Sequence, residues 1–227
     1  MRELRDAAAR AGVRIEWTER GAVDALHVGD DQGVVAVVDR PREMDEQSFA
    51  TMPLPEDAIV VVLDGIMDPQ NFGASGRSAE AAGAAALIAR ERRAAPLTPA
   101  AVRASAGALL HLSVARVTNL SRAIDRLKRR GFWVVGLDHR AQASIYDAAV
   151  PPRPLAIVVG AEGSGLSRLV RDRCDVLVSI PMAGRTSSLN ASAALAVALF
   201  GYVLRPTAEE PSEQAARERS IGRARGD

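Results

Sequence analysis

A chain of 227 residues with 48% apolar and 25% charged side chains has the composition of a globular protein, long enough for one substantial core or two modest ones. Its formal net charge of only +1 excludes a globally basic nucleic-acid binder and leaves any RNA contact to local patches. A single cysteine, Cys174, excludes an intramolecular disulfide and a cysteine metal cluster, and His27, His111 and His139 lack metal-ligand spacing, so no metal is expected.

Residues 2–12 read as a short helix, and the polar start Met1-Arg2-Glu3-Leu4-Arg5-Asp6 carries no apolar secretory core. No apolar run approaches the ~20 residues that span a bilayer, so the expected location is the cytoplasm with no membrane partner. Val13–Trp17 and Val34–Val38 read as strands, and the first 40 residues are too few for an independent domain. The stretch 41–56, with Pro41, Pro53, Pro55 and several acids, reads as a linker. From residue 57 to 205 short β-rich runs alternate with helical patterns. Strands are expected at 58–63, 85–88, 114–117, 132–137, 155–160 and 176–180, and helices at 74–83, 98–107, 119–130, 164–173 and 188–204. Strands separated by helices imply right-handed crossovers and an α/β fold, a parallel sheet with helices on both faces. Residues 206–227 are Pro, Ala, Glu and Arg with almost no apolar content, and this tail is expected to be disordered.

Three segments place small and polar residues at the C-terminal end of an apolar run, where an open α/β sheet exposes loops to ligands. The first runs from Val60-Val61-Val62-Leu63-Asp64-Gly65 to Asn71-Phe72-Gly73-Ala74-Ser75-Gly76-Arg77. A helix starting near Ala74 would put Asn71 and Arg77 close to its N-terminal end, where donors favour a phosphate; Asn71 could equally cap that helix, with Arg77 solvated. The second, Ile157-Val158-Val159-Gly160-Ala161-Glu162-Gly163-Ser164-Gly165, lets backbone approach a ligand closely. It serves as a phosphate cradle or only as a tight turn, and it lacks both the P-loop lysine and G-x-G-x-x-G spacing. The third runs from Ser179-Ile180-Pro181-Met182-Ala183-Gly184 to Ser188-Leu189-Asn190 and opens a long apolar helix, which Ser187, Ser188 and Asn190 can also cap.

In order and spacing, these segments resemble the three signature motifs of the SpoU (TrmH) family of SPOUT RNA methyltransferases, over roughly residues 56–205. The resemblance implies a deep C-terminal trefoil knot threaded by residues from about 155 to 204, S-adenosylmethionine held in its bend, and a homodimer built from the same elements. It assigns Asn71, Arg77, Glu162, Ser188 and Asn190 to the active site. To the methyl donor it assigns Leu137, Gly160, Gly163, Ile180, Met182 and Leu189, with Val134–Asp138 as a further donor-side loop. The family's proposed base is the arginine matching Arg77; because arginine holds its proton above pH ~12, Arg77 is expected to anchor an RNA phosphate and steer the hydroxyl instead.

Finer similarities, among them Leu63-Asp64-Gly65-Ile66-Met67-Asp68-Pro69-Gln70-Asn71 and Val114-Ala115-Arg116-Val117-Thr118-Asn119-Leu120, look most like bacterial 23S ribosomal RNA guanosine 2′-O-methyltransferases. Those relatives carry an N-terminal substrate-binding domain related to ribosomal protein L30e, of which residues 1–40 resemble only the last third. The chain either starts late or recognises RNA with less. Candidate RNA patches are Arg90-Glu91-Arg92-Arg93 and the helix bearing Arg122, Arg126, Lys128, Arg129 and Arg130; either could equally be a solvated face. Lys128 is the only lysine, and the dominance of arginine suits phosphate contact but could equally reflect genome composition. Alternatives are a transfer-RNA member of the same family, a non-catalytic RNA-binding or assembly factor on a methyltransferase scaffold, and an unrelated Rossmann-type enzyme, which the missing fingerprint disfavours.

Overall fold

The computed structural model describes residues 2–26, 33–147 and 151–203. His27 and the tail 206–227 lie outside them. The chain divides into two compact units between Asp39 and Arg40.

The first unit holds α1 (Arg2–Ala11) and α2 (Arg20–Asp24), neither with a buried residue. The Arg5 guanidinium stands 6.0 Å from the Trp17 ring centroid. The strands expected at 13–17 and 34–38 do not form, and the described residues of this unit contain no strand. With no neighbouring strand to pair, extended backbone gives its N–H and C=O groups to water.

The second unit is a seven-stranded, all-parallel sheet in the order β1-β4-β3-β2-β6-β5-β7. Its strands are β1 (Glu43–Met44), β2 (Ile59–Asp64), β3 (Ala86–Arg90), β4 (Ser113–Val117), β5 (Trp133–Leu137), β6 (Leu155–Gly160) and β7 (Val176–Val178). The central strands β2 and β6 are buried at every position, as continuous Val and Ile runs covered on both faces require. Side chains alternate between two cores. Ile59, Val61 and Leu63 face α4 (Pro69–Ala81), α5 (Pro99–Ala104) and α8 (Ala191–Val203), through Phe72, Ala101 and Leu195. Val60 and Val62 face α3 (Glu46–Thr51), α6 (Leu120–Arg129) and α7 (Arg168–Arg171), through Phe49, Ile124 and Val170. Among the described residues no helix is long and apolar enough to cross a membrane.

Two expectations need correction. The stretch 41–56 is not merely a linker. It contributes β1, which pairs with β4, and α3, whose Phe49 is buried and whose first turn is capped by Asp45 accepting from the Ser48 N–H at 2.8 Å. Its prolines flank these short elements rather than interrupt them. The helix of the first motif starts at Pro69, not near Ala74: Asp68 accepts the N–H groups of Gln70 and Asn71, and proline occupies the first turn, where its missing N–H costs nothing. Asn71 therefore sits in the first turn while Arg77 lies two turns in, roughly 120° around the axis from it. Within α4, Gly73 and Gly76 serve packing: a Cβ on Gly73 would lie 2.3 Å from the Ala101 carbonyl oxygen, and one on Gly76 2.6 Å from Leu109.

Candidate functional site

The chain runs outward from β2 through β3 and β4, and the other half of the sheet is β6, β5 and β7. The carboxyl ends of such a divided parallel sheet form a crevice. A cleft of about 230 Å³ opens there, beyond β5, β6 and β7. Leu137, Asp138 and His139 line one side, Gly160–Gly163 and Gly165 another, and Val178–Ile180, Met182 and Ser187–Leu189 a third. All six residues expected to hold the methyl donor, Leu137, Gly160, Gly163, Ile180, Met182 and Leu189, line it.

The second motif builds a closed turn. The Gly165 N–H donates to the Ala161 carbonyl at 2.8 Å, and Gly163 and Gly165 adopt positive φ of 80° and 66°. A Cβ on Gly160 would lie 2.1–2.4 Å from the backbone of Gly165 and Leu166, so only glycine permits this turn. Leu137, Val178, Ile180 and Leu189 supply apolar walls, while Glu162 and Ser188 are exposed at the rim.

Asn71, Glu162 and Asn190, separated widely in sequence, converge. Asn190 Nδ2 donates to Asn71 Oδ1 at 2.8 Å and reaches Glu162 Oε2 at 3.5 Å, the outer limit of a hydrogen bond. Its Oδ1 accepts from the Ser192 N–H at 2.9 Å and hydroxyl at 2.7 Å, so the same side chain caps α8. Arg77 does not join them. It is exposed, lies outside the cleft lining, and its side chain makes no hydrogen bond or ion pair with the described residues.

Half of the basic residues in the expected patches are engaged within the fold. Arg90 pairs with Asp64, Arg126 with Glu46, and Lys128 with Asp175, while Arg130 donates to the Met52 carbonyl. Arg92, Arg93, Arg122 and Arg129 are exposed.

Sequence reasoning missed two buried aspartates. Asp64 accepts from Arg90 at 3.2 Å and from the Ser167 N–H at 2.7 Å. Asp138 accepts from Arg171, and from the Arg140 N–H at 2.9 Å and Nε at 3.3 Å. Burial alone pushes the Asp138 carboxyl up, but the Arg140 N–H and the two guanidinium groups outweigh it and hold it below its ordinary 3.8. The available signal was a repeated Leu-Asp pair, closing β2 and straddling the end of β5.

Residues 58–200 match the model of the SpoU rRNA Methylase family. The chain is 42% identical over 196 residues to the 23S rRNA (guanosine-2′-O-)-methyltransferase RlmB of Vibrio cholerae, covering 86% of this chain and 79% of that protein. To the enzyme of the same name from Photobacterium profundum it is 41% identical over 203 residues, covering 88% and 81%. Among solved structures, the SpoU methyltransferase AviRb of Streptomyces viridochromogenes, in complex with its cofactor AdoMet, matches with a TM-score of 0.61 and 36% identity. That match covers 66% of this chain and spans 61% of AviRb's chain.

Proposed function

Because this chain belongs to the SpoU rRNA methylase family, we propose that it transfers a methyl group from S-adenosylmethionine to a ribose 2′-hydroxyl in RNA, a guanosine of 23S ribosomal RNA. The observation that carries this reading is the convergence of Asn71, Glu162 and Asn190 at the rim of a glycine-lined cleft.

The residues present fit the donor. Gly160 and Gly163 leave backbone uncovered at the cleft wall, and Leu137, Ile180, Met182 and Leu189 offer apolar surface for a purine ring. Bound there, S-adenosylmethionine supplies an electrophilic methyl group. A ribose hydroxyl is a weak nucleophile, so holding it in line is the protein's main contribution. Of the carboxylates lining the cleft, Asp138 is occupied by its arginine partners, whereas Glu162 is exposed and free to accept a hydrogen bond from the hydroxyl. Asn190 and Asn71 hold that carboxylate's side of the rim, and Ser188 adds a donor opposite. Arg77, with its guanidinium unengaged, anchors an RNA phosphate rather than taking a proton.

The same reading extends to parts of the fold. The Ser179 N–H donates to the Ala143 carbonyl and the Ile145 N–H to the Ser179 carbonyl, so the segment after β7 runs parallel to the loop after β5; we read this pairing as part of a trefoil knot closed by α8. We read residues 1–40 as a partial RNA substrate-binding segment, α8 as part of a homodimer interface, and the cytoplasm as the site of action.

Calorimetric titration with S-adenosylmethionine, followed by tritium-methyl transfer to unmodified 23S ribosomal and transfer RNA, tests the assignment. Saturable donor binding and label on the ribosomal RNA are expected. Donor binding without transfer to either RNA would replace the enzyme by a non-catalytic RNA-binding scaffold, and label on transfer RNA alone would move the substrate.

A further inference from the structure

Of the two strands flanking β6, β2 ends on Leu63-Asp64 and β5 ends on Leu137 with Asp138 immediately after it. Both aspartates are buried. A carboxylate withdrawn from water is retained only where donors replace the lost hydration, and both are fully engaged. One partner of each belongs to the same element, α7 with its N-cap residue. Asp64 Oδ2 takes the N–H of Ser167, the residue before α7, at 2.7 Å, and its Oδ1 is held by Arg90 at 3.2 Å. Asp138 Oδ2 takes Arg171, the last residue of α7, while its Oδ1 is held by Arg140.

α7 is four residues long, too short to be stable by its own hydrogen bonds. It follows directly on the Gly160–Gly165 turn, whose other end is fixed by β6. The turn's place against the cleft therefore depends on where α7 is held. Two carboxylates at the ends of two different strands hold it at its two ends.

We propose that Asp64 and Asp138 are positioning residues that clamp α7 and so fix the glycine turn of the methyl-donor cleft. This rests on the reading of that cleft as the S-adenosylmethionine site. Asp64 lies off the cleft lining, and Asp138 borders it with both oxygens committed to arginines, so each acts through α7 rather than on the reacting atoms.

The test uses the full chain with variants off the cleft lining, Asp64→Asn and Arg171→Met, and the milder Arg171→Lys should the others fail to fold. Donor Kd by calorimetry is expected to rise roughly ten-fold, the size of one lost charge-assisted hydrogen bond, with KM for the donor rising in parallel. The kcat at saturating donor and RNA should stay within about a factor of two. Asp45→Ala, which removes the α3 cap in another part of the unit, should lower the melting temperature and leave donor Kd unchanged. Donor Kd equal to that of the wild type in the α7 variants overturns the clamp, as does a fall in kcat with KM unmoved. A wild type that binds no donor sinks the reading of the cleft first, and the clamp with it.

Discussion

Asn190 shows how one side chain can serve fold and site together. Its carbonyl oxygen is used by the start of α8 and its amide nitrogen by Asn71 and Glu162, so each end of the amide has a separate task. The cap was readable, because a polar residue opening a helix after a strand end points to it, and the contacts to Asn71 and Glu162 bring together three residues expected at one site. The place of Arg77 was not. The spacing from Asn71 suggested neighbours at one helix end, but the Asp68-Pro69 pair starts α4 earlier and turns Arg77 away. An unengaged guanidinium can still make two parallel contacts to a phosphate, which an ammonium cannot. Arg77→Lys is therefore expected to lose about ten-fold or more in kcat/KM for RNA while donor affinity is unchanged, measured by transfer assay and calorimetry. Full activity in that variant would remove the bidentate anchor. Cys174 plays no such part: burial, followed by the charge of Asp175, pushes its thiol up to about 12, so at neutral pH it is a packing group.

At the scale of elements, α4 was misread for a reason that packing explains. An expected start near Ala74 left Gly73 outside the helix, yet Gly73 and Gly76 both lie inside α4 and let α5 and Leu109 approach its backbone. Gly73→Ala would gain helix propensity of about 1 kcal/mol, but its Cβ would meet the Ala101 carbonyl oxygen at 2.3 Å, and backbone cannot swing aside as a side chain does. A net loss of about 1–3 kcal/mol is expected from urea denaturation, and a variant as stable as the wild type would show that α5 shifts freely. The glycines of the second motif, in contrast, were legible as a turn, because Gly160, Gly163 and Gly165 fall so close together after an apolar strand that no helical run fits between them. The central strands β2 and β6 were legible as well, since Val and Ile runs set between helical patterns suit a sheet covered on both sides, whereas the similar run at 34–38 forms no strand. β1 and α3 were hidden by flanking prolines and by their short length.

Across the whole molecule, the seven strands share one end where carboxylates gather, and that ties stability to acidity. The Asp138 carboxyl is held below its ordinary 3.8 in the fold, so the unfolded chain takes up that proton at a higher pH than the native one does. Its contribution is complete above about pH 4–5 and declines as acid carries the pH down through the depressed native value. Urea midpoints between pH 3 and 6 should fall more steeply for the wild type than for Asp138→Asn; parallel curves would show that the arginine contacts do not bias the titration. The sheet's connectivity has a different consequence. Val61 pairs with Leu87 nearby in sequence on one side, but with Ile157 on the other, nearly a hundred residues later. During synthesis at ~5–20 residues per second, β2 emerges and then waits on the order of several seconds with one apolar edge unsealed. The seam at the middle of the sheet thus stays open until β6 is made, with only the β5–β7 edge forming later, and the nascent chain meanwhile carries a bare strand edge of the kind chaperones shield.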